Sequence, residues 1–267
     1  MGGAKAVGTP MGRQFKLSSQ QKPESESEDE RKPESESEDE RKEMQVIPYA
    51  NIVGSIMYAM ISTRPDLAQA ISVTSRFMAD HGRQHWQALK WTLTYLKGVG
   101  GFGILYKGDV VLEGDALVGH CNSDFAGNLD NRKSQSGCIF TLYGGAISWK
   151  SGLQSMVALS TTEAEYMALT AAVKESLWLR VIAAEFGVEH KAIPIGCDSN
   201  GASTLSKHQF FHERRCALSL CEEEVEKGNI VVFKVDTACN PADMLTKPLP
   251  KEKFDLCMKP IGMCERS

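Results

Sequence analysis

The hydrophobic period changes at Gly101, and this change restricts the fold more than any other feature of the sequence. Beyond it, strand-like runs separated by Gly, Asp and Asn turn residues cover positions 102–106, 117–121, 137–143 and 146–149. A long helical segment at 163–186 follows, then a strand at 193–197, a helix after Asp198, a strand at 230–235 and a helix from Asn240. Strands followed by alternating helices and strands predict a mixed α/β sheet covered by helices.

The acidic residues are concentrated near the N-terminus. The decapeptide KPESESEDER occupies residues 22–31 and recurs at 32–41. Residues 22–43 carry 11 acidic and 5 basic side chains, net −6, so the rest of the chain carries +2 of its total charge of −4. Such dense like charge buries too little apolar surface to offset the entropy of ordering, so we expect residues 1–45 to be disordered. The near-neutral remainder does not have the charge of a generic basic nucleic-acid binder.

Residues 46–100 are predicted to form a helical region. Pro65 stands where a first-turn proline is tolerated, with Ser62 and Thr63 as candidate caps before it. A helical pattern continues to Gly98, which stops it. An aromatic stripe at helical spacing within this region favours core packing over base stacking; it consists of Trp86, Trp91 and Tyr95.

The eight cysteines form no CxxC pair and no Cys/His set with zinc-finger spacing. Those inside apolar runs, such as Cys138 and Cys197, are interpreted as small core residues. No secretory signal opens the sequence, and the longest apolar run, at 50–61, is too short to cross a bilayer. We therefore expect an intracellular protein, cytoplasmic or nuclear, with no membrane partner.

Acidic side chains recur at the ends of the predicted strands and on the long helix. Glu163 fits a capping box with Ser160 and so has a local role at the helix start. Glu165 instead lies on a stripe of small and apolar residues, where a carboxylate must be paired or metal-bound to offset its desolvation. It is therefore a candidate site residue.

Asp198 and Asp243 each have two interpretations. Asp198 ends an apolar strand, where ligands gather in α/β sheets, but Asp also caps helices well. Asp243 lies three residues after Asn240 and could be an ordinary first-turn carboxylate. Taken with Glu165, these acids fit a site for two Mg²⁺ ions, which are hard cations that prefer oxygen ligands.

The order of motifs resembles the ribonuclease H domain of copia-type retrotransposon Pol polyproteins, preceded by the tail of their reverse transcriptase. The matching pieces are VIPYA at 46–50, GSIMYA at 54–59, TRPD at 63–66, SQSG at 134–137, STTEAEYMAL at 160–169 and ADMLTKPL at 242–249. The resemblance implies a ribonuclease H-like mixed five-stranded sheet flanked by helices. It also implies cleavage of the RNA strand of RNA–DNA hybrids with Mg²⁺, or Mn²⁺ in its place, held by Glu165, Asp198 and Asp243.

The sequence departs from this family at its first acidic position. Asn122 stands where the family has Asp, which removes a negative charge that would bind metal. Asp124 is a possible substitute, but it shares a face with residue 122 only if the strand continues that far. The stretch 216–221 is also shorter than in the family and unlike it, and this difference is expected to affect either contacts with the hybrid or packing against a neighbouring helix. The paired-Asp motif of the polymerase is absent, so DNA synthesis is not expected.

Several interpretations remain open from the sequence. The expected parts are a disordered segment at 1–45, a reverse transcriptase remnant at 46–100, a ribonuclease H-like domain at 101–250 and a tail at 251–267. The alternative to an impaired nuclease is a catalytically dead relic that keeps the fold or binds nucleic acid. An integrase or transposase would need Glu roughly where Phe233 stands, and an interaction module would use residues 22–41. The oligomeric state is not predicted.

Overall fold

In the computed structural model, the chain divides into two units, Met1–Gly100 and Gly101–Ser267. The structure describes residues 7–21, 34–106, 116–188, 191–198 and 215–265. The predicted helix after Asp198 lies outside these residues, as does much of the duplicated acidic segment. The assignment of residues 46–100 to a reverse transcriptase remnant stays a prediction.

In the first unit, residues 7–21 and 34–100 are described, and they include four α-helices: α1 Glu34–Gln45, α2 Tyr49–Thr63, α3 Ala68–Thr74 and α4 Arg83–Gly98. Pro65 begins a short 3-10 turn, Pro65–Leu67, that separates α2 from α3. The candidate caps Ser62 and Thr63 were wrong, because both belong to α2 and the Ser62 hydroxyl donates to the Tyr58 carbonyl at 2.8 Å. The cap position is taken by Arg64, whose side chain does not cap the turn.

Within residues 1–45, which the sequence predicts to be disordered, the structure describes residues 7–21 and 34–45. Residues 34–45 form α1, and Met44 within it is buried. Arg83 holds this helix, since its side chain pairs with Glu43 at 2.8 Å and its backbone N–H donates to Glu40 at 3.1 Å. Met11 is also buried, in a small core with Ala70 and Ala88. These contacts connect residues 7–21 and 34–45 to α3 and α4.

The aromatic stripe on α4 packs within this unit. Tyr95 is fully buried, and its hydroxyl donates to Asp66 at 2.8 Å. The Trp91 indole N–H donates to the Thr9 carbonyl at 2.9 Å. The core interpretation is confirmed for Tyr95, and Trp91 is tied to the N-terminal segment.

No single helix among the described residues is long and apolar enough to cross a membrane. The bent pair Asp39–Gln45 and Tyr49–Thr63, with 44° between its parts, has the length and composition of a span. Three residues of α2, Tyr49, Val53 and Ile56, are buried within the protein. Helices in protein cores often have the same apolar composition as a span.

The second unit is built on the mixed five-stranded sheet that was expected. The five strands of this sheet are β2 Leu117–Ser123, β3 Gln135–Leu142, β4 Gly145–Leu153, β5 Ile193–Cys197 and β6 Ile230–Lys234. Two short strands, β1 Phe102–Ile104 and β7 Met263–Glu265, form a separate pair. The sheet order is β4-β3-β2-β5-β6. The pairs β2–β3 and β3–β4 are antiparallel, whereas β2–β5 and β5–β6 are parallel. This is the ribonuclease H-like arrangement of the expected fold class.

Among the described residues of this unit, three α-helices accompany the sheet: α5 Thr161–Glu185, α6 Arg215–Glu226 and α7 Lys251–Met258. Leu169, Ala172 and Val173 of α5 are buried against Leu117 and Ile195 of the sheet. Burying such aliphatic side chains contributes about 1.5–3 kcal/mol each, so this interface fixes α5 over strands β2 and β5. Since Glu165 lies on α5, the interface also fixes the height of Glu165 above the sheet.

The last acidic segment differs from the predicted helix. The helix expected from Asn240 is a five-residue 3-10 turn, Pro241–Leu245, and α7 begins only at Lys251. Pro248 and Pro250 explain the interruption, because the residue before a proline is displaced from helical conformation. The predicted cap is confirmed, since the Asn240 side-chain oxygen accepts from the Ala242 N–H at 3.1 Å. The predicted tail contains α7 and β7, which pairs with β1.

Candidate metal and nucleic-acid site

The altered acidic position, Asn122, is buried near the end of β2. Its amide nitrogen donates to a carboxylate oxygen of Asp243 and, at 3.1 Å, to the Thr246 hydroxyl. Its amide oxygen accepts from the Ser123 N–H at 2.8 Å. Asn122 therefore presents a donor to Asp243, where the family Asp would present a second negative charge.

Glu165 lies in the second turn of α5 and is half-buried. Its two carboxylate oxygens both accept from the Ser123 N–H, at 3.1 Å each. Burial raises the pKa of Glu165 to about 8, and the charges of Asp198 and Cys197 act in the same direction. The Ser123 hydrogen bond and Lys247 oppose this rise in pKa. Glu163, by contrast, has the predicted capping role, since its carboxylate accepts from the Leu159 N–H and its own N–H donates to Ser160.

Asp198 follows the last residue of β5 and is half-buried. Burial raises its pKa, and the neighbouring Asp243 raises it further. Lys247 and a hydrogen bond from the Thr237 hydroxyl act in the opposite direction. The charge of Asp198 raises the pKa of Glu165, and the charge of Asp243 raises the pKa of Asp198, so the three acids lie close enough to repel one another.

Asp243 is fully buried in the 3-10 turn and is contacted by two lysines. The Lys247 ammonium lies 2.8 Å from one carboxylate oxygen, and the Lys253 ammonium pairs with the other. Asn240 holds the turn against the sheet, because its amide donates to the Cys121 carbonyl of β2 at 3.0 Å. Sequence reasoning missed both lysines as neighbours of the acid. Only Lys247 had a signal, as part of the ADMLTKPL motif.

Asp124 lies beyond the end of β2, which stops at Ser123. One oxygen of its carboxylate accepts from the Gln135 N–H, and its backbone N–H donates to the Gln135 carbonyl at 3.0 Å. The condition for its acting in place of Asn122, a strand that continues to residue 124, is therefore not met. The structure brings Asn122, Glu165, Asp198 and Asp243 together, and it places Asp124 in the connection between β2 and β3.

The donor set fits a divalent cation on one side of the site. Glu165 and Asp198 offer hard oxygen ligands, and their raised pKa values reflect burial and repulsion that a bound dication would offset. Asp243 fits less well, since two ammonium groups and the Asn122 amide already contact its oxygens. These contacts would have to change for Asp243 to bind metal.

Gly137, in the SQSG motif, lets the Asp243 turn approach β3. A Cβ at position 137 would lie 2.6 Å from Leu245 Cβ and 3.1 Å from the Ala242 carbonyl. We expect Gly137→Ala to lower the free energy of unfolding by about 1–3 kcal/mol, because overpacking forces the turn away from the sheet. Gly152→Ala is the matched control, since a Cβ there meets nothing within 4 Å. Urea denaturation measures both, and equal stability of the two variants would contradict the close approach.

The pKa of Glu165 predicts a pH dependence of stability in the metal-free protein. Folding raises the pKa of the Glu165 carboxyl to about 8, so the folded protein holds a proton that the unfolded chain releases at lower pH. The protein therefore becomes less stable as pH rises from the ordinary pKa of glutamate, 4.5, towards 8. In EDTA, Glu165→Gln should therefore stabilise the protein at pH 8 more than at pH 5. Denaturation at both pH values measures this, and Glu163→Gln is the control on the same helix. Equal effects of Glu165→Gln at the two pH values would contradict the prediction.

In the stretch 216–221, which departs from the family, the structure describes side chains only from residue 220 onward. Helix α6 begins at Arg215, and Cys221 within it is buried in the same core as Tyr166. Phe233, at the position where an integrase would need Glu, packs its ring edge-on against His120 with centroids 6.1 Å apart.

Comparison with curated proteins gives long matches to transposon polyproteins, whereas no protein-family model matches the chain. The Retrovirus-related Pol polyprotein from transposon TNT 1-94 of Nicotiana tabacum is 42% identical over 98% of this chain. The corresponding polyprotein from transposon RE2 of Arabidopsis thaliana is 36% identical over 80% of it. This chain spans only 19% and 15% of those two proteins. The Secreted RxLR effector protein 161 of Plasmopara viticola is 48% identical over 52% of this chain, which covers 95% of that protein.

The solved structures that are similar to this chain include ribonucleases H. RNase H1 from Halobacterium salinarum is 20% identical, with 52% of this chain and 97% of that chain covered and a TM-score of 0.36. LC11-RNase H1 in complex with an RNA/DNA hybrid is 14% identical, with 49% and 93% covered and a TM-score of 0.36.

Proposed function

Since the chain belongs to the Pol polyproteins of copia-type retrotransposons, we propose that its ribonuclease H-like domain hydrolyses the RNA strand of RNA–DNA hybrids by a two-metal mechanism. Activity is impaired because the first ligand position is Asn122. The cation is Mg²⁺, or Mn²⁺ in its place, and the partner is the hybrid. The intracellular location expected from the sequence is part of this proposal.

The observation that carries the proposal is the convergence of three acids from separate elements. Glu165 of α5, Asp198 after β5 and Asp243 of the 3-10 turn affect one another electrostatically, although 78 residues separate the first from the last. Buried acids that repel one another destabilise a fold unless a ligand or a proton neutralises them. A functional ligand therefore accounts for their grouping better than a structural role does.

The residues of this chain have separable roles in the proposed reaction. Glu165 and Asp198 would hold the cation, and the Ser123 N–H keeps the Glu165 carboxylate oriented toward the end of β2. Bound divalent ions supply an activated water and stabilise charge on the leaving oxygen. Lys247, whose side chain is 39% exposed, places a positive charge beside all three acids and is suited to contact a backbone phosphate.

The second candidate function is that of a non-catalytic relic that keeps the fold and binds hybrid weakly. The contacts of Asp243 favour it: Lys247 and Lys253 offset the charge of this acid without any metal, and the Asn122 amide donates a hydrogen bond to it. In this case Asp243 needs no metal, and hybrid binding depends on Lys247 and other basic side chains rather than on cations.

Cleavage of an end-labelled RNA–DNA hybrid in Mg²⁺ or Mn²⁺ separates the two candidates. The nuclease proposal expects slow cleavage by the wild-type chain and loss of it in Glu165→Gln. Glu163→Gln is the matched control, because Glu163 caps the same helix through Leu159 and Ser160. Cleavage that persists in Glu165→Gln would indicate a contaminating nuclease and count against the proposal. No cleavage at high protein concentration, with hybrid binding retained, would favour the relic.

A further inference from the structure

A thiol lies beside the two acids that fit a cation. The carboxylate oxygens of Glu165 and Asp198 and the sulfur of Cys197 all lie within 4.8 Å of one another. Cys197 is the last residue of β5 and is fully buried, while Asp198 is half-buried. The pocket that sequence reasoning described as all-oxygen thus has a sulfur atom in its wall.

Cys197 belongs to a row of cysteines across three strands. Cys121 of β2 lies opposite Cys138 of β3 in the antiparallel pairing. The parallel pairing of β2 with β5 matches His120 with Gly196, which places Cys121 beside Cys197. The interpretation of these cysteines as core residues is confirmed by their burial, but Cys197 at the end of the row also reaches the acidic pocket.

Donor chemistry decides which cation such a pocket prefers. Mg²⁺ takes oxygen ligands and binds thiolate poorly, whereas Zn²⁺, Co²⁺ and Cd²⁺ accept sulfur together with carboxylate oxygen. One sulfur and two carboxylates form a three-ligand set that leaves a fourth tetrahedral position for water. Because Zn–S and Zn–O bonds are about 2.0–2.3 Å long, the donors have to move closer together, which carboxylate side chains can do by changing rotamer.

We propose that Glu165, Cys197 and Asp198 form a binding site for a thiolate-seeking divalent cation of the Zn²⁺ class. On binding, the sulfur forms a bond to the cation, and the thiol proton is released to solvent. Two carboxylates and one thiolate carry −3, and the cation with the neighbouring Lys247 brings +3, so the occupied pocket is near neutrality.

Occupancy by Zn²⁺ withholds two ligands from Mg²⁺. This consequence rests on the proposed nuclease function: Zn²⁺ should inhibit hybrid cleavage by competing with Mg²⁺, and removing the thiol should relieve the inhibition. The binding itself does not depend on catalysis, so a chain with no nuclease activity would still bind Zn²⁺ at this pocket.

Titration of the purified full chain with Co²⁺ and then Zn²⁺ tests the site directly. Cobalt–thiolate charge-transfer absorption reports sulfur ligation, and calorimetry gives affinity and stoichiometry. All variants carry Cys239→Ser and Cys264→Ser, because these two thiols are exposed. Cys197→Ala is the test variant, and Cys138→Ala, in the same row but outside the donor group, is the matched control.

The expected result is one Co²⁺ bound with a thiolate band, displaced by Zn²⁺, in the background and Cys138→Ala proteins. Cys197→Ala should lose the band and bind Zn²⁺ at least about tenfold more weakly. If circular dichroism shows that Cys197→Ala is unfolded, Asp198→Asn replaces it, with the same tenfold weakening of Zn²⁺ binding expected. A background protein without the band, or a folded test variant with unchanged affinity, overturns the proposal.

Discussion

Asn122→Asp is expected to cleave an RNA–DNA hybrid at least about 100-fold faster than the wild-type chain in Mg²⁺, which corresponds to about 2.7 kcal/mol of activation free energy. The substitution replaces the amide that donates to Asp243 with a carboxylate, and so returns a negative charge to the site. Two carboxylates side by side attract a cation strongly enough to compete with the lysines on Asp243. Single-turnover cleavage with saturating protein measures the gain.

The same variant should be less stable without metal. Asn122→Asp loses the hydrogen bonds to Asp243 and Thr246 and buries a charge beside another of the same sign, which costs about 2–4 kcal/mol in EDTA. Mg²⁺ should recover that loss. The control is Asn122→Asp with Glu165→Gln, which should stay inactive. A revertant that Mg²⁺ stabilises but that does not cleave would place the defect elsewhere, in the altered stretch 216–221.

Arg64→Ala is expected to lower the stability of the first unit by about 3–5 kcal/mol, because it leaves the buried Asp66 carboxylate without its cation. The Arg64 guanidinium donates to both oxygens of Asp66, at 2.9 and 2.7 Å, and the Tyr95 hydroxyl donates to one of them. Asp66 is fully buried, and the Arg64 side chain is 9% exposed. This pair explains the Arg and Asp of the TRPD motif as structural residues.

The measurement uses Trp149→Phe with Trp178→Phe, so that the remaining tryptophans, Trp86 and Trp91, report on α4 of this unit during urea denaturation. Arg83→Ala is the matched control, since the Arg83–Glu43 pair is 52% and 60% exposed and such pairs contribute about 0–1 kcal/mol. If Arg64→Ala and Arg83→Ala lowered the free energy of unfolding equally, the buried Arg64–Asp66 pair would not stabilise the unit more than the exposed pair does.

Periodicity was sufficient to predict a mixed sheet covered by helices and the position of Glu165 on its long helix. Glu165 stands out because a carboxylate on an apolar helical stripe requires a partner, and that reasoning needs only the residues around it. The resemblance to a family then supplied the number of strands and the missing Asp at position 122. These inferences depend on local spacing or on motif order, which the sequence displays directly.

The contacts between distant segments could not be predicted in this way. Lys253 reaches Asp243 only because the 3-10 turn and the prolines that follow it direct α7 back over the turn. Cys197 joins Glu165 because the register of β2 with β5 sets the height of each strand end. The contact between Arg83 and Glu43 was not predictable for the same reason, since the two residues lie 40 positions apart.

The hydrogen bond from Asn122 to Asp243 also affects how the chain behaves in a chelating buffer. In the absence of cations, an amide at this position holds the 3-10 turn to the sheet, whereas an aspartate would repel it. The wild-type chain should therefore keep this corner of the fold closed without a divalent ion, and a chain with aspartate at position 122 should need the ion for the same closure.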